Sequence, residues 1–354
     1  LPLSHSYEHM AGQFFPMSIG AEIYYAQGIE TLAANMIEAR PTIMTAVPRL
    51  YETLHQRITM GVRKSGGAKE KLFNKAVELG ARRFQDPGSL SLKERLVNWA
   101  LDNLVRNKVR ARFGGRLKAL VSGGAPLNPD IGLFFTALGL RILQGYGQTE
   151  TSPSVSVNAP SDMKLHTVGP PLKGVEVEIA DDGEILVRGD LVMLGYWNNE
   201  QATADTIRDG WVHTGDIGLI DEDGHLRITD RKKDIIVNSG GDNISPQRVE
   251  GILTIEPEIA QAIVYGDKHS HLVALLVPDA DWLAGLEGDE TAESALAPVL
   301  DRVNKSLSNI ESVRRFILAD EPFTTENGLM TPTMKIRRYK IKEVYGEALE
   351  ALYG

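Results

Sequence analysis

The sequence contains no cysteine, so it can form neither a disulfide framework nor a thiolate metal site, and it offers no cysteine nucleophile. This composition is compatible with a reducing compartment, and we expect a cytoplasmic location. Long apolar runs are also missing: the longest, residues 131–143, is interrupted by Arg141 and is too short to span a bilayer. The first residue is Leu1 rather than Met, and the opening residues resemble no signal peptide. We therefore expect the chain to begin inside a domain.

Positive charge is scarce, because 38 Lys and Arg against 47 Asp and Glu give a net charge of −9. This balance argues against nucleic acid as a partner. One basic segment at 106–118 contains a single aromatic residue, Phe113, which is too few for interleaved stacking, and we interpret the segment as the polar face of a helix. Trp99 and several leucines share that helix, so peripheral contact with a membrane is the other interpretation. The cations of the segment are Arg106, Lys108, Arg110, Arg112, Arg116 and Lys118.

The chain has 354 residues, which favours two domains. The run 41–47 is typical of a buried strand closed by proline, and the spacing of apolar residues over 49–112 predicts two or three helices. Two apolar stripes carry that spacing: Leu72, Ala76 and Leu79, then Leu92, Leu96, Ala100 and Leu104. A strand over 118–122, a helix through Phe135 and a strand over 140–143 then indicate a parallel sheet. The first domain is therefore predicted to be α/β.

Residues 165–229 predict a small antiparallel β subdomain. One hairpin joins 175–179 to 184–188, and a second joins 217–220 to 225–228 through Asp-Glu-Asp-Gly. Beyond residue 230 the pattern mixes helices with strands at 262–265 and 272–277, as a separate α+β domain would. We place the domain boundary after residue 230, so that the domains are 1–230 and 231–354.

The segment Gln-Gly-Tyr-Gly-Gln-Thr-Glu-Thr at 144–151 follows a predicted strand, where open parallel sheets bind ligands. Tyr146 offers an aromatic face, Gly147 lets the backbone approach a phosphate, Thr149 supplies a hydroxyl donor, and Glu150 is a hard oxygen ligand suited to Mg²⁺. The same residues would also suit a turn in which Thr and Glu cap a helix. The glycine turn at 122–126 and the Thr-Gly-Asp at 214–216 are each weak signals alone, because such turns are common.

Five motifs stand in a fixed order: Gly-Gly-Ala-Pro at 123–126, Tyr-Gly-Gln-Thr-Glu at 146–150, Thr-Gly-Asp at 214–216, Asp-Arg-Lys-Lys-Asp at 230–234, and Lys335. This set resembles the adenylate-forming superfamily, which contains acyl-CoA synthetases, luciferases and the adenylation domains of peptide synthetases. Leu-Pro-Leu-x-His at 1–5 extends the resemblance to essentially the whole chain. Residues 231–234 and 329–335, with the helical insertion before Lys118, are most similar to long-chain fatty acid CoA ligases.

The resemblance implies a reaction in which MgATP converts a fatty acid to an acyl-adenylate and coenzyme A then displaces AMP. It implies that Lys335 is the catalytic lysine, that Thr149 bonds the α-phosphate and that Glu150 holds Mg²⁺. The implied adenosine contacts are Tyr146 on the adenine, the backbone of Gly123, Gly124 and Ala125, the loop residues Gly147 and Gln148, Asp216 on the ribose, and Arg231 on the ribose or a phosphate.

The resemblance also implies that the C-terminal domain is a lid that rotates between the two half-reactions. Lys233 matches the hinge, where many relatives carry Asp, and Gly240 and Gly241 would line the pantetheine passage. Val237 stands where luciferases carry a lysine, so no second catalytic lysine is implied. His5 would lie on the acyl-binding side.

One family element is absent from these residues, namely the Ser/Thr/Gly-rich phosphate loop that ends in Pro-Lys-Gly. We expect the parent protein to be a ligase and this chain alone to have little or no adenylation activity. Two alternatives stay open. One is a non-catalytic module that binds a nucleotide or an acyl group with the same fold, and the other is an adenylating enzyme for an aryl or amino acid.

Overall fold

The computed structural model describes residues 2–286 and 291–354, so Leu1 of the acyl-side segment lies outside the described residues. The chain divides into two compact units, 1–228 and 229–354, and the sequence pattern places the boundary after residue 230. Within the described ranges no helix is long and apolar enough to cross a membrane.

The first unit is built on a four-stranded sheet in the order β1-β2-β3-β4, and the predicted parallel sheet is confirmed. β1 is parallel to β2 and β2 to β3, whereas β4 runs antiparallel to β3. The sequence pattern predicts a buried strand over 41–47, whereas Ile43 at the start of β1 is exposed and Ala46 at its end is buried. The strands are β1 (Ile43–Ala46), β2 (Ala119–Ser122), β3 (Ile142–Tyr146) and β4 (Ser156–Val157).

Helices precede and flank this sheet, and several begin at residues that suit a helix start. Ser91 and Glu94 form a reciprocal capping box, and Asn128 caps a helix that has Pro129 in its first turn. The α-helices are α1 (Phe15–Ser18), α2 (Leu32–Ala39), α3 (Pro48–Ser65), α4 (Gly67–Gln85), α5 (Leu92–Leu101), α6 (Asn107–Arg112), α7 (Pro129–Ala137) and α8 (Glu200–Thr206). A π-helical turn, Glu8–Phe14, precedes α1, and another, Asp102–Arg106, joins α5 to α6.

Arg106 is buried, which corrects the prediction that it lies on a polar helix face. Its guanidinium donates to the carbonyl oxygens of Ala137 at 2.6 Å, Asn98 at 3.1 Å and Ala76 at 2.5 Å. It also donates to the side-chain oxygen of Asn98 at 2.7 Å. Five N–H donors in a fixed fork suit several carbonyl acceptors at once. Arg106 therefore ties the insertion helices α4 and α5 to the end of α7.

Replacing Arg106 with methionine should lower the free energy of unfolding by about 3 kcal/mol or more, because several buried carbonyl groups lose their donor at once. Urea unfolding followed by circular dichroism measures this loss. Arg83→Met is the control, since Arg83 is exposed on α4. A loss below about 1 kcal/mol for Arg106→Met would show that water replaces the guanidinium.

The antiparallel β subdomain follows as a five-stranded sheet in the order β5-β6-β8-β7, with β9 also paired to β8. Its first predicted hairpin is confirmed. In the second hairpin β8 begins six residues earlier than predicted, because it pairs with β6 and β7 as well as with β9, and β9 continues three residues beyond its predicted end. The strands are β5 (Glu176–Ile179), β6 (Glu184–Arg188), β7 (Ile207–Arg208), β8 (Trp211–Ile220) and β9 (Leu226–Arg231).

The second unit is an α+β fold around a three-stranded sheet, in which β12 and β13 are antiparallel and β13 and β14 are parallel. Alternate residues of β13 pack into two separate apolar cores, so both faces of the sheet are covered. The strands are β10 (Ile236–Val237), β11 (Asn243–Ile244), β12 (Ile259–Tyr265), β13 (Leu272–Pro278) and β14 (Val313–Leu318). The helices are α9 (Pro246–Leu253), α10 (Ala280–Leu283), α11 (Ala292–Asn304), α12 (Arg338–Glu350) and the 3₁₀ turn Ala351–Tyr353.

Candidate functional site

Two predicted motifs lie at one edge of the four-stranded sheet. β2 and β3 are parallel neighbours, and Ser122 of β2 is in register with Gln144 of β3. Gly123 directly follows β2, and Gly147 directly follows β3. The carboxyl ends of neighbouring strands form the crevice in which open α/β sheets bind ligands. The sheet thus brings both glycine-containing motifs to a position suited to a small molecule.

β3 ends later than the sequence pattern predicts. The pattern gives a strand over 140–143 with the whole motif in the loop behind it, whereas β3 continues to Tyr146. Gly145 and Tyr146 pair with Val157 and Ser156 of β4, and this antiparallel pairing extends the strand. The backbone of Tyr146 is therefore held in a sheet, so its ring has a defined position at the site.

The Asp216 carboxylate joins two predicted motifs that are far apart in sequence. Its Oδ2 accepts hydrogen bonds from the Tyr146 hydroxyl at 2.8 Å and from the Gln148 amide at 2.7 Å. The same amide donates to the carbonyl oxygen of Thr214 at 2.9 Å. Asp216 is only 4% exposed. A carboxylate has about four lone-pair sites, so one held in this way is oriented before it accepts further hydrogen bonds from a ligand.

A second buried carboxylate, Glu184, shapes the strand that carries Asp216. The pairing of β6 with β8 is irregular at Glu184, and Gly215 in β8 has a φ of 67°. Glu184 accepts a hydrogen bond from the Gly215 N–H at 2.8 Å, and its other oxygen lies 3.3 Å from Nδ1 of His213. Sequence reasoning treats Glu184 only as the start of a strand. No local pattern marks it, because its partners lie on another strand.

Thr149 and Glu150 lie in one short 3₁₀ turn, Thr149–Thr151. The Gln148 N–H donates to the Thr151 hydroxyl at 2.9 Å, and that hydroxyl donates back to the Gln148 carbonyl at 3.0 Å. These two bonds close the turn beside the Gln148 side chain that contacts Asp216. The turn therefore holds Thr149 and Glu150 at the same edge as the Asp216 carboxylate.

Glu150 is the candidate metal ligand. Its Oε1 accepts a hydrogen bond from the Tyr196 hydroxyl at 2.8 Å, and burial raises the pKa of Tyr196. Among the residues that the structure describes, no three His, Asp or Glu side chains form a complete metal site. Mg²⁺ is commonly held by one or two carboxylates together with substrate phosphates. A single oriented carboxylate such as Glu150 fits that mode of binding.

Gly147 is required by a close approach of the chain to itself. A Cβ at this position would lie 1.7 Å from the carbonyl oxygen of Pro153. That distance is far inside van der Waals contact, so only glycine allows the loop to fold back here. The loop after β3 is therefore compact, and it leaves the Gly147 backbone without a side chain that would block a ligand.

The first described residues pack beside the glycine motif. A Cβ on Gly123 would come within 3.1 Å of the Tyr7 ring, and the Tyr7 hydroxyl donates to the Val121 carbonyl at 3.0 Å. Burial raises the pKa of Tyr7.

The two residues before Tyr7 also make contacts here. Nδ1 of His5 accepts from the Tyr7 N–H at 3.2 Å, and the Ser6 hydroxyl lies 3.2 Å from that of Thr149. The sequence motif predicts a role for His5 only. Ser6 and Tyr7, which it does not mark, are the residues that contact Thr149 and the strand before the glycine motif.

A buried serine completes this region. Ser122, at the end of β2, is 2% exposed, and its hydroxyl has no hydrogen-bond partner in the part of the chain that the structure describes. Gly124 beside it has a φ of 84°, and Ala125 is exposed. A buried hydroxyl without a partner costs free energy, which a ligand or a water molecule recovers by bonding to it.

Lys335 belongs to the second unit and lies in a tight loop. Its N–H donates to the Thr331 hydroxyl at 3.0 Å, and its carbonyl oxygen accepts from the Thr331 N–H at 2.8 Å. Arg338 then begins α12 and makes two hydrogen bonds of 2.8 Å to Glu250. Lys335 is exposed, so the loop presents its side chain at the surface of this unit.

The remaining predicted residues also lie in the second unit. Arg231 ends β9, and its carbonyl accepts from the Asp234 N–H at 2.9 Å, which places the exposed Lys233 in a turn. Gly240 and Gly241 form the exposed tip of the β10–β11 hairpin. The structure thus separates the predicted residues into two sets, one in each unit.

Comparisons with known proteins identify the family. Residues 1–197 match the AMP-binding enzyme family, and residues 233–354 match the AMP-binding enzyme C-terminal domain. The chain belongs to the AMP-binding enzyme family. A long-chain-fatty-acid–CoA ligase of Mycobacterium bovis is 37% identical over 374 residues, which cover 100% of this chain and 61% of that protein. The peroxisomal long chain acyl-CoA synthetase 6 of Arabidopsis thaliana is 36% identical over 387 residues, and the alignment covers 100% of this chain and 54% of that protein.

Solved structures of this family share the fold. The A domain of a carboxylic acid reductase from Segniliparus rugosus, in complex with AMP and a co-purified carboxylic acid, aligns with a TM-score of 0.78 and 26% identity. That alignment covers 100% of this chain and 53% of the other. The chain therefore spans between half and two thirds of the length of these proteins.

Proposed function

We propose that the protein to which this chain belongs is an ATP-dependent ligase that joins a long-chain fatty acid to coenzyme A. The observation that carries the proposal is the buried Asp216 carboxylate, bonded to Tyr146 and Gln148 beside the carboxyl ends of β2 and β3. An aromatic ring joined to an oriented carboxylate suits an adenine and its ribose hydroxyl groups. The substrate class is supported by relatives that are named long-chain-fatty-acid–CoA ligases.

In the first step, an oxygen of the fatty acid carboxylate attacks the α-phosphorus of ATP, and the bond to pyrophosphate breaks. Negative charge on the phosphate must be offset by fixed cations and donors, a mainly electrostatic task. We assign the Thr149 hydroxyl to the α-phosphate and the Lys335 ammonium to the carboxylate and phosphate oxygens. Arg231 adds a contact to the ribose or a phosphate. Glu150 would hold Mg²⁺, which supplies positive charge at the phosphates when bound.

In the second step, the thiol sulfur of coenzyme A attacks the acyl carbon, the bond to AMP breaks, and the thiol proton leaves. We assign Gly240 and Gly241 to the pantetheine arm, because an exposed hairpin tip without side chains lets a narrow chain pass close to the backbone. Lys233 is assigned to the hinge between the half-reactions, and His5 to the acyl-binding side.

ATP–pyrophosphate exchange by the full-length protein tests this function. Hexadecanoate should support faster exchange than acetate, benzoate or alanine, and coenzyme A should convert the adenylate to a thioester. Faster exchange with benzoate or alanine would favour the aryl or amino acid alternative. Binding of ATP without exchange would favour a non-catalytic module, and an adenylate that coenzyme A leaves unchanged would point to another acyl acceptor.

A further inference from the structure

An exposed apolar stripe runs along the outer side of the insertion helix. α5, the π-helical turn Asp102–Arg106 and α6 follow one another without a break from Leu92 to Arg112. The inner side is buried at Asn98, Leu101 and Arg106, whereas Leu92 is 84% exposed. Leu96, Trp99 and Leu104 are 67%, 66% and 53% exposed. The sequence spacing predicts an apolar stripe over Leu92, Leu96, Ala100 and Leu104, and the structure exposes its three leucines on the outer side.

Helical spacing makes these residues one surface. Positions 92, 96 and 99 stand at i, i+4 and i+7, which places their side chains on the same side of a helix. Single exposed apolar residues are ordinary on a soluble protein, but a contiguous line of them marks an interaction site. Because Arg106 bonds the backbone carbonyls of Ala76 in α4 and Ala137 in α7, this surface is held in place before any partner binds.

The charges around the stripe are all positive. Lys93, Arg95, Lys108 and Arg112 are exposed on the same helix. Its two carboxylates are each paired with an arginine: Glu94 lies 2.7 Å from Arg82 of α4, and Asp102 lies 2.8 Å from Arg110 of the same helix. In a chain whose net charge is −9, this face therefore carries local positive charge beside leucine and tryptophan.

We propose that this face docks on an anionic lipid bilayer. A helix in the plane of a bilayer buries leucine and tryptophan at the boundary between headgroups and acyl chains, while its lysines and arginines contact lipid phosphates. A protein groove would fit the apolar stripe equally well, but four exposed cations on a helix whose two carboxylates are already paired with arginines match a surface of phosphate groups. The proposal does not depend on the function proposed above.

Co-sedimentation of the full chain with vesicles tests the docking. The chain should bind vesicles of phosphatidylcholine and phosphatidylglycerol, bind vesicles of phosphatidylcholine alone weakly, and be released by added salt. The double variant Leu96→Ser/Trp99→Ser should lower the affinity about tenfold or more, since it removes two large apolar side chains from the contact. Lys108→Glu/Arg112→Glu should abolish the preference for anionic vesicles.

A second exposed leucine and tryptophan at the same i, i+3 spacing provide the control. Leu194 and Trp197 are 103% and 91% exposed, and Leu194→Ser/Trp197→Ser should bind vesicles like the unchanged chain. No binding to anionic vesicles at low salt, or equal losses in both double variants, would overturn the proposal. A third result would also overturn the proposal. If sedimentation velocity shows a dimer that Leu96→Ser/Trp99→Ser abolishes, and the same variant still binds vesicles normally, the face joins two copies of the chain.

Discussion

Replacing Lys335 with alanine in the full-length protein should lower the rate of adenylate formation about a hundredfold to a thousandfold. Thioester formation from supplied acyl-adenylate should stay close to normal, because that step needs no cation between carboxylate and α-phosphate. The loop around Lys335 is held through its backbone and Thr331, so removal of the side chain should leave the fold intact. ATP–pyrophosphate exchange measures the first step, and release of AMP from acyl-adenylate with coenzyme A measures the second.

Lys305→Ala is the matched control for this variant. Lys305 is an exposed lysine of the same unit, at the end of α11, and its removal should alter neither step. Equal losses in both half-reactions for Lys335→Ala would contradict the assigned role. They would mean that the lysine acts on binding or folding rather than on attack at the α-phosphate.

Replacing Asp216 with alanine should weaken ATP and AMP binding alike, by about 2 kcal/mol or more, because hydrogen bonds to a charged group are lost. The Tyr146 hydroxyl and the Gln148 amide would also lose their shared acceptor and with it their fixed orientation. Calorimetric titration with AMP measures the loss. Asp216→Asn keeps the size of the side chain and one of its two acceptor oxygens. Its loss of AMP affinity should therefore be smaller than that of Asp216→Ala.

Two controls separate a binding effect from misfolding. Asp181→Ala removes an exposed carboxylate from the β5–β6 turn and should leave AMP affinity unchanged. The melting temperature of Asp216→Ala shows whether the β subdomain survives the substitution. If a folded Asp216→Ala variant binds AMP with unaltered affinity, Asp216 is not part of the nucleotide site.

The strands could be predicted from local patterns because alternation and turn residues act over short distances. The first hairpin of the β subdomain and the strands at 262–265 and 272–277 are confirmed on this basis. The end of β3 differs from the prediction, since it depends on pairing with β4, whose residues carry no strong strand signal. Arg106 is buried where the sequence predicts a polar helix face, because the carbonyls that bond it come from three separate helices and no local pattern contains them.

The candidate site depends on contacts that no local pattern contains. Tyr146 and Asp216 are 70 positions apart, and each alone suits an ordinary strand or turn. Only the order of motifs along the chain suggested that they act together. Glu184, which accepts from the Gly215 N–H next to Asp216, and Tyr196, which donates to Glu150, match no sequence motif.

Calorimetric titration of this chain with two non-hydrolysable acyl-adenylate analogues, one hexadecanoyl and one acetyl, tests the central claim most directly. The account predicts that both bind through the adenosine site formed by Tyr146, Gln148 and Asp216, and that Asp216→Ala weakens both. The hexadecanoyl analogue should bind more tightly, because each buried methylene group adds about 0.8 kcal/mol. A folded chain that binds neither analogue would contradict the assignment of this edge of the sheet to the nucleotide.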